Sequence, residues 1–182
     1  MEKKMKNFYS VGNSVSEKEK HIEYAKNAKN CIVEIGVLNG DTSKIFCECN
    51  DSASIYGVDP IIPDSMDAGM LGNIEKIKSI EKNYPNYHFI NDFSFNVVKN
   101  WNTLIDYLFI DGDHNYEAVK NDFNSWYPFV AQGGVIAFHD SACNRAGPHW
   151  WPGPSRLADE LLQDPRLEYL ETVYTITFFK KI

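Results

Sequence analysis

The chain has 182 residues, of which 43% are hydrophobic and 14% aromatic, enough for one domain with a packed core. Its formal net charge is −7, and no block of Lys and Arg resembles a nucleic-acid or membrane patch. No apolar run approaches the ~20 residues of a membrane span, and the N-terminus lacks the apolar stretch of a secretory signal. Four cysteines form no C-x-x-C pair. Composition therefore predicts a cytoplasmic protein with reduced thiols, bound neither to nucleic acid nor to membrane.

The order of apolar runs predicts an α/β protein with a doubly wound, mostly parallel sheet. The N-terminal segment 1–29 is expected to be helical, with a capping box at Ser16 and Glu19. Five buried parallel strands are predicted as short apolar runs, with helices between them, at residues 31–35, 54–58, 87–90, 107–110 and 135–138.

The end of the chain departs from this alternation. Two strands, at residues 167–173 and 174–179, follow each other without a helix, which indicates an antiparallel hairpin at one edge of the sheet. We therefore expect a single domain over residues 1–182. Its ligand-binding core spans residues 30–140, and residues 141–182 supply a substrate loop, a helix and the hairpin.

Residues 33–43, Val-Glu-Ile-Gly-Val-Leu-Asn-Gly-Asp-Thr-Ser, predict a strand, a glycine turn and a helix N-terminus. Gly36 and Gly40 allow close approach of the backbone to a ligand, and the helix start offers unpaired N–H groups. The acidic residue lies inside the motif, at Glu34, which favours a ligand with a ribose and a positive charge over a pyrophosphate. Asp59 follows ~20 residues later, at the spacing of an acid that binds ribose hydroxyls, although a turn acid before Pro60 is the alternative.

Polar residues also follow the later strands. Asn91 and Asp92 have the hydrogen-bonding groups for an adenine edge, although they also favour an ordinary turn. The most polar cluster follows the fourth and fifth strands, whose ends lie ~4.8 Å apart in a parallel sheet. Its side chains predict a divalent-metal site, Mg²⁺ or Mn²⁺, or direct catalysis, with helix capping as the alternative; they are Asp111, Asp113, His114, His139 and Asp140.

Trp150 and Trp151 lie in a loop rich in Gly and Pro. A loop buries two indoles with difficulty, so their flat faces predict a substrate surface for a sugar or an aromatic ring. A lid packed on the protein's own core is the alternative.

With these residues, the chain resembles a class I S-adenosylmethionine-dependent methyltransferase, and more narrowly the small O-methyltransferases of family 24. The resemblance covers about residues 33–140. It is carried by the glycine turn, by Phe-Ile-Asp-Gly-Asp-His at 109–114 and by Gly-Gly-Val-Ile-Ala-Phe-His-Asp at 133–140.

The resemblance implies a seven-stranded sheet with a reversed final hairpin, and S-adenosylmethionine as cofactor. It places Gly36, Gly40 and Asp111 beside the cofactor, Glu34 near its methionine end, Asp59 at its ribose and Asp92 near its adenine. It further implies metal ligands at Asp111, His139 and Asp140, a general base at His114, and catalytic roles for Asp111 and His139.

The predicted function is metal-assisted O-methylation of a hydroxyl on a small molecule, such as a sugar or an aromatic diol, by an enzyme expected to form a homodimer. Two alternatives stay open: a nicotinamide-dependent oxidoreductase, and a non-catalytic nucleoside-binding protein of the same fold. The oxidoreductase would need the turn G-x-G-x-x-G, whereas Gly36 is followed by Val37-Leu38-Asn39.

Overall fold

Short apolar runs form most strands of the sheet. The computed structural model describes residues 14–63, 65, 69, 71–142 and 151–182, without the side chains of residues 14–16. The strands are β1 (Cys31–Ile35), β2 (Ser54–Val58), β3 (Tyr87–Ile90), β4 (Ile105–Ile110), β5 (Val130–Phe138), β6 (Leu167–Val173) and β7 (Ile176–Lys181). The predicted bounds of the first three strands and of β6 are confirmed, whereas β4 and β5 begin earlier and β7 lies two residues further along the chain.

The strands form one seven-stranded sheet in the order β3-β2-β1-β4-β5-β7-β6. Strands β1 to β5 pair in parallel, and β7 pairs antiparallel with β5 on one side and with β6 on the other. The doubly wound sheet and its C-terminal hairpin are thus confirmed. Because the strand order reverses between β1 and β4, a crevice is expected at the carboxyl ends of these two strands.

Helices cover both faces of the sheet. They are α1 (Ser14–Ala25), α2 (Asp41–Cys49), α3 (Ile74–Asn83), α4 (Ser94–Val97), α5 (Tyr116–Trp126) and α6 (Pro152–Leu161). Among the described helices, none is long and apolar enough to cross a membrane. The capping box predicted at Ser16 and Glu19 requires the side chain of Ser16, which lies outside the described side chains. The helix α1 begins before this residue, at Ser14.

The segment that carries Gly133 belongs to β5, although the predicted strand begins only at residue 135. Val130 already pairs with Ile105, and Val135 pairs with Tyr107, so the extra residues form a bulge within β5. Gly133 has φ 80°, a backbone conformation that favours glycine. The strand therefore continues through a segment whose sequence reads as a turn.

The core has one layer on each face of the sheet. One layer packs α5 and α6 on the sheet through Phe123, Trp126 and Phe138, and the other packs α1 to α3 through Phe46 and Tyr87. His21 and Ala25 of α1 are buried, as is Ala28, which follows the helix. Burial lowers the pKa of His21 to about 3, so the ring is neutral beside the hydroxyl of Tyr107, 2.8 Å from its Nδ1.

Candidate functional site

A cleft of about 1190 Å³ opens at the carboxyl ends of β1, β2, β4 and β5. Its volume exceeds the ~300–1,000 Å³ of most small-molecule sites, so it has room for two ligands. It collects most of the residues predicted from the sequence: Glu34, Gly36, Asp59, Asp111, His114, His139 and Asp140. Most of its charged side chains are carboxylates, and Arg156 is the one Lys or Arg among the described lining residues.

Gly36 joins the two sides of the cleft. Its φ is 87°, and its N–H donates to the carbonyl of Val58 over 2.9 Å. A Cβ at this position would lie 2.0 Å from the carbonyl oxygen of Asp111, closer than any side chain permits. The glycine turn is therefore packed directly on the backbone that follows β4.

Asp59 fixes the shape of the glycine turn. One carboxylate oxygen accepts from the N–H groups of Val37 and Leu38, over 2.7 and 3.1 Å, and the other accepts from Ile61 over 2.6 Å. A carboxylate has about four acceptor positions, so one remains for a ligand hydroxyl. Both interpretations of Asp59, as a turn acid and as a cleft residue, are compatible with this arrangement.

Glu34 lies behind the turn as a buried side chain, 2% exposed. Burial raises the pKa of its carboxyl well above the usual range, although a hydrogen bond donated by Ser43 opposes the rise. The Ser43 hydroxyl also lies 3.0 Å from the hydroxyl of Tyr87. Glu34 therefore contributes a buried hydrogen-bonding group to the cleft wall, and its carboxyl holds a proton more tightly than that of an exposed glutamate.

Three side chains meet where β4 and β5 end. Asp111 and His139 are held side by side because their N–H groups donate to the carbonyls of Ile35 and Ile110, over 2.8 and 3.0 Å. His139 Nδ1 lies 3.0 Å from Asp111 Oδ1 and 3.3 Å from Asp140 Oδ2. One ligand atom from each of these residues lies within 4.8 Å of the other two, as a shared cation requires.

The electrostatics of this trio favour a positive charge at its centre. Burial would lower the pKa of His139, but the two neighbouring carboxylates outweigh it and raise that pKa well above the ordinary value. Burial would likewise raise the pKa of Asp140, but the neighbouring imidazoles of His114 and His139 bring it well below the usual range. Two carboxylates and an imidazole are also suitable ligands for Mg²⁺ or Mn²⁺, so the donor set fits a divalent cation.

His114 is buried beside the trio, 4% exposed. Its Nε2 lies 3.3 Å from Asp140 Oδ2 and 3.9 Å from Asp111 Oδ1. Its ring stacks on Trp151 at 4.2 Å between centroids and 26° between planes. Trp151 therefore packs on the predicted base, outside the cleft lining, and Trp150 lies outside the described residues.

Three predicted cofactor residues lie outside the described cleft lining. Gly40 has φ 79°, and a Cβ there would lie 2.5 Å from Ile80 of α3, so this glycine lets α2 approach α3. The Asn91 amide donates to the carbonyl of Asp59 over 2.9 Å. The exposed Asp92 accepts from the N–H of Phe93 and the amide of Asn96, over 2.7 and 3.0 Å. All three support the loops on the β1–β2 side.

The structure also places residues in the cleft that the sequence analysis does not predict. Asp122 of α5 is 8% exposed, accepts from Ser94, and has a pKa that burial raises to about 6. Phe93 and Phe95 stack with centroids 5.0 Å apart and are 39% and 53% exposed. The sequence does contain a signal for the burial of Asp122. This residue lies three positions after Val119 and four before Trp126, a spacing that puts all three on the apolar face of α5.

Comparison with known proteins places the chain in a family. A family model described as a methyltransferase domain matches residues 33–141. An uncharacterized protein of Acanthamoeba polyphaga mimivirus is 28% identical over 131 residues; the match covers 71% of this chain and 59% of that protein. The chain thus matches less than two thirds of the length of this relative.

Solved structures share the fold at low identity. The O-methyltransferase NovP aligns with a TM-score of 0.72 and 16% identity, covering 92% of this chain and 80% of that one. The MycE methyltransferase from the mycinamycin biosynthetic pathway, solved with Mg and SAH, aligns with a TM-score of 0.64 and 17% identity. That alignment covers 91% of this chain and 48% of MycE.

Proposed function

The chain belongs to the methyltransferase domain family, and from this premise we propose that it is an S-adenosylmethionine-dependent O-methyltransferase acting on a small-molecule hydroxyl. The observation that carries the proposal is one continuous cleft. The glycine turn with Asp59 lines one side, and the trio of Asp111, His139 and Asp140 lines the other. A methyl donor and an acceptor therefore have room to meet within it.

The β1–β2 side has the chemistry to hold the methyl donor. Because Gly36 has no side chain, a ligand can approach the backbone there closely. The remaining acceptor position of Asp59 suits a ribose hydroxyl. The carboxylates that dominate the described lining attract the positive sulfonium of the donor. NovP is an O-methyltransferase and MycE was solved with SAH, which supports the same choice of cofactor.

The β4–β5 side has the chemistry to prepare the acceptor. A divalent ion held by Asp111, His139 and Asp140 would lower the pKa of a hydroxyl bound to it and fix its direction. The donor set and the Mg in the MycE structure support this assignment. Because chelation favours two adjacent hydroxyls, a vicinal diol on a sugar or an aromatic ring is the proposed acceptor.

The reaction is an in-line displacement in which the acceptor oxygen bonds to the methyl carbon as the carbon–sulfur bond breaks. The sulfur leaves as a neutral thioether, and the hydroxyl proton passes to His114 Nε2. Asp140, 3.3 Å from that nitrogen, stabilises the imidazolium that forms. Holding oxygen and carbon close and collinear contributes about 7–11 kcal/mol in favourable cases.

The test combines cofactor binding with turnover. Isothermal titration of the protein with S-adenosylmethionine and with NAD should show binding of the first alone. Transfer of a labelled methyl group from S-adenosylmethionine to catechol should fall on exhaustive chelation and return with Mg²⁺ or Mn²⁺. Preferential binding of NAD would overturn the proposed reaction, and transfer that survives chelation would remove the metal from it.

A further inference from the structure

A chain of hydrogen bonds reaches His139 from outside the cleft. Its members are Glu17 in the first turn of α1 and Thr175 in the two-residue turn between β6 and β7. Glu17 Oε1 accepts from both the N–H and the hydroxyl of Thr175, over 3.0 and 2.6 Å. The hydroxyl oxygen of Thr175 lies 3.4 Å from His139 Nε2, on the side of the ring that faces away from the trio.

The two side-chain hydrogen bonds of this series run in one direction, from His139 through Thr175 to Glu17. The single hydroxyl proton of Thr175 is given to Glu17, so the oxygen of Thr175 is left as an acceptor. His139 Nε2 must then carry a proton to complete the contact. Nδ1 is thereby left facing Asp111 and Asp140, at 3.0 and 3.3 Å.

The backbone around Thr175 is held firmly. Thr175 is 5% exposed, and its carbonyl accepts from the N–H of Ser141 over 2.8 Å and from the Ser141 hydroxyl over 3.3 Å. The preceding Tyr174 has φ 52°, a left-handed backbone conformation that non-glycine residues rarely adopt and that the surrounding contacts must hold in place. A turn fixed in this way presents the hydroxyl of Thr175 to His139 in one position.

We propose that Thr175 and Glu17 are positioning residues that hold the His139 ring with Nε2 protonated and Nδ1 directed at the two carboxylates. The value of this for catalysis rests on the proposed function, because Nδ1 is then the nitrogen offered to a divalent ion. Histidine ligands in metal sites commonly donate their second N–H to such a partner, whose loss costs about 10–100-fold in metal affinity. The antiparallel hairpin and α1 would thus act on the site without touching either substrate.

The test uses three variants of the full chain, with a fourth, His139→Asn, for assignment of the NMR signal. Thr175→Val removes the hydroxyl with little change of shape, and Thr175→Ser restores it. Thr172→Val is the matched control, because Thr172 is another buried threonine of the hairpin, with hydroxyl bonds to Thr177 and Tyr169 rather than to His139. Each variant is titrated calorimetrically with Mn²⁺, and the ring proton on His139 Nε2 is followed by ¹⁵N NMR, assigned by its loss in His139→Asn.

Thr175→Val should bind Mn²⁺ about 10–100-fold more weakly and lose the slowly exchanging Nε2 proton, while Thr175→Ser and Thr172→Val stay close to the wild type. Equal Mn²⁺ binding by Thr175→Val and wild type, or an equal loss in Thr172→Val, would overturn the proposal. If the wild type binds no Mn²⁺, the proposed function loses its metal, and the positioning role is then judged from the Nε2 proton alone. Its loss in Thr175→Val then supports the positioning role, and its persistence refutes it.

Discussion

On the β1–β2 side of the cleft the contacts come mostly from backbone, whereas on the β4–β5 side they come from titratable side chains. Gly36 and the N–H groups that donate to Asp59 lie within three residues of one another, and Asp59 follows the strand that pairs with β1. The trio of Asp111, His139 and Asp140 lies beside His114 and is contacted from the hairpin. One side therefore supplies shape and the other supplies chemistry, so substitutions on the two sides should be separable in binding and turnover.

The largest effect is expected at His114. His114→Gln removes the proposed proton acceptor, so turnover should fall by about 10²–10⁴-fold while the affinity for S-adenosylmethionine changes little. Steady-state kinetics and calorimetry check the two halves of this expectation. His88→Gln, at an exposed histidine of β3, is the control and should keep wild-type turnover. Unchanged turnover in His114→Gln would exclude this ring as the base.

Gly36→Ala should affect binding instead. The added Cβ meets the Asp111 carbonyl and a positive φ, so the turn must move and cofactor affinity should fall by at least about 100-fold. Gly133→Ala is a matched control, because Gly133 has φ 80° with nothing within 4 Å of a Cβ. It should lose on the order of 1 kcal/mol of stability and keep its cofactor affinity. Equal cofactor affinities in the two variants would contradict the close packing of the turn.

A smaller loss of affinity is expected at Asp59. Asp59→Asn keeps the size of the side chain but removes the charge and one of the acceptor oxygens that bind the turn, so affinity should fall about 10–100-fold. Asp92→Asn should change affinity by less than about threefold, because Asp92 bonds only near its own turn. Calorimetric titration with S-adenosylmethionine compares the two. A larger loss in Asp92→Asn would support the predicted contact of Asp92 with the adenine.

The smallest effect concerns pH and Asp122. Burial raises the pKa of this carboxyl from 3.8 to about 6, so between these values the native state keeps a proton that the unfolded chain releases. The free energy of unfolding should therefore fall as pH rises through that window, by on the order of 1 kcal/mol per pH unit from this group. Urea unfolding at a series of pH values measures the slope. Asp122→Asn should reduce it, whereas Asp51→Asn at an exposed position should not.

The β1–β2 side could be predicted from the sequence because its determinants are local. An apolar strand, a glycine directly after it and an acid at the end of the next strand are all visible along the chain. Gly40, Asn91 and Asp92 were also predicted at the cofactor, and the structure places all three outside the described cleft lining. Proximity in sequence to a cleft residue does not decide which way a side chain faces.

By itself the sequence determined the alternation of strands and helices, the terminal hairpin and the polar residues at the strand ends, since these depend on periodicity and local turn chemistry. Only the tertiary structure decided that β7 lies between β5 and β6, which brings Thr175 against His139, and that Trp151 covers His114. Contacts of this kind join residues distant in the chain, and they arise from how the layers pack rather than from any local pattern.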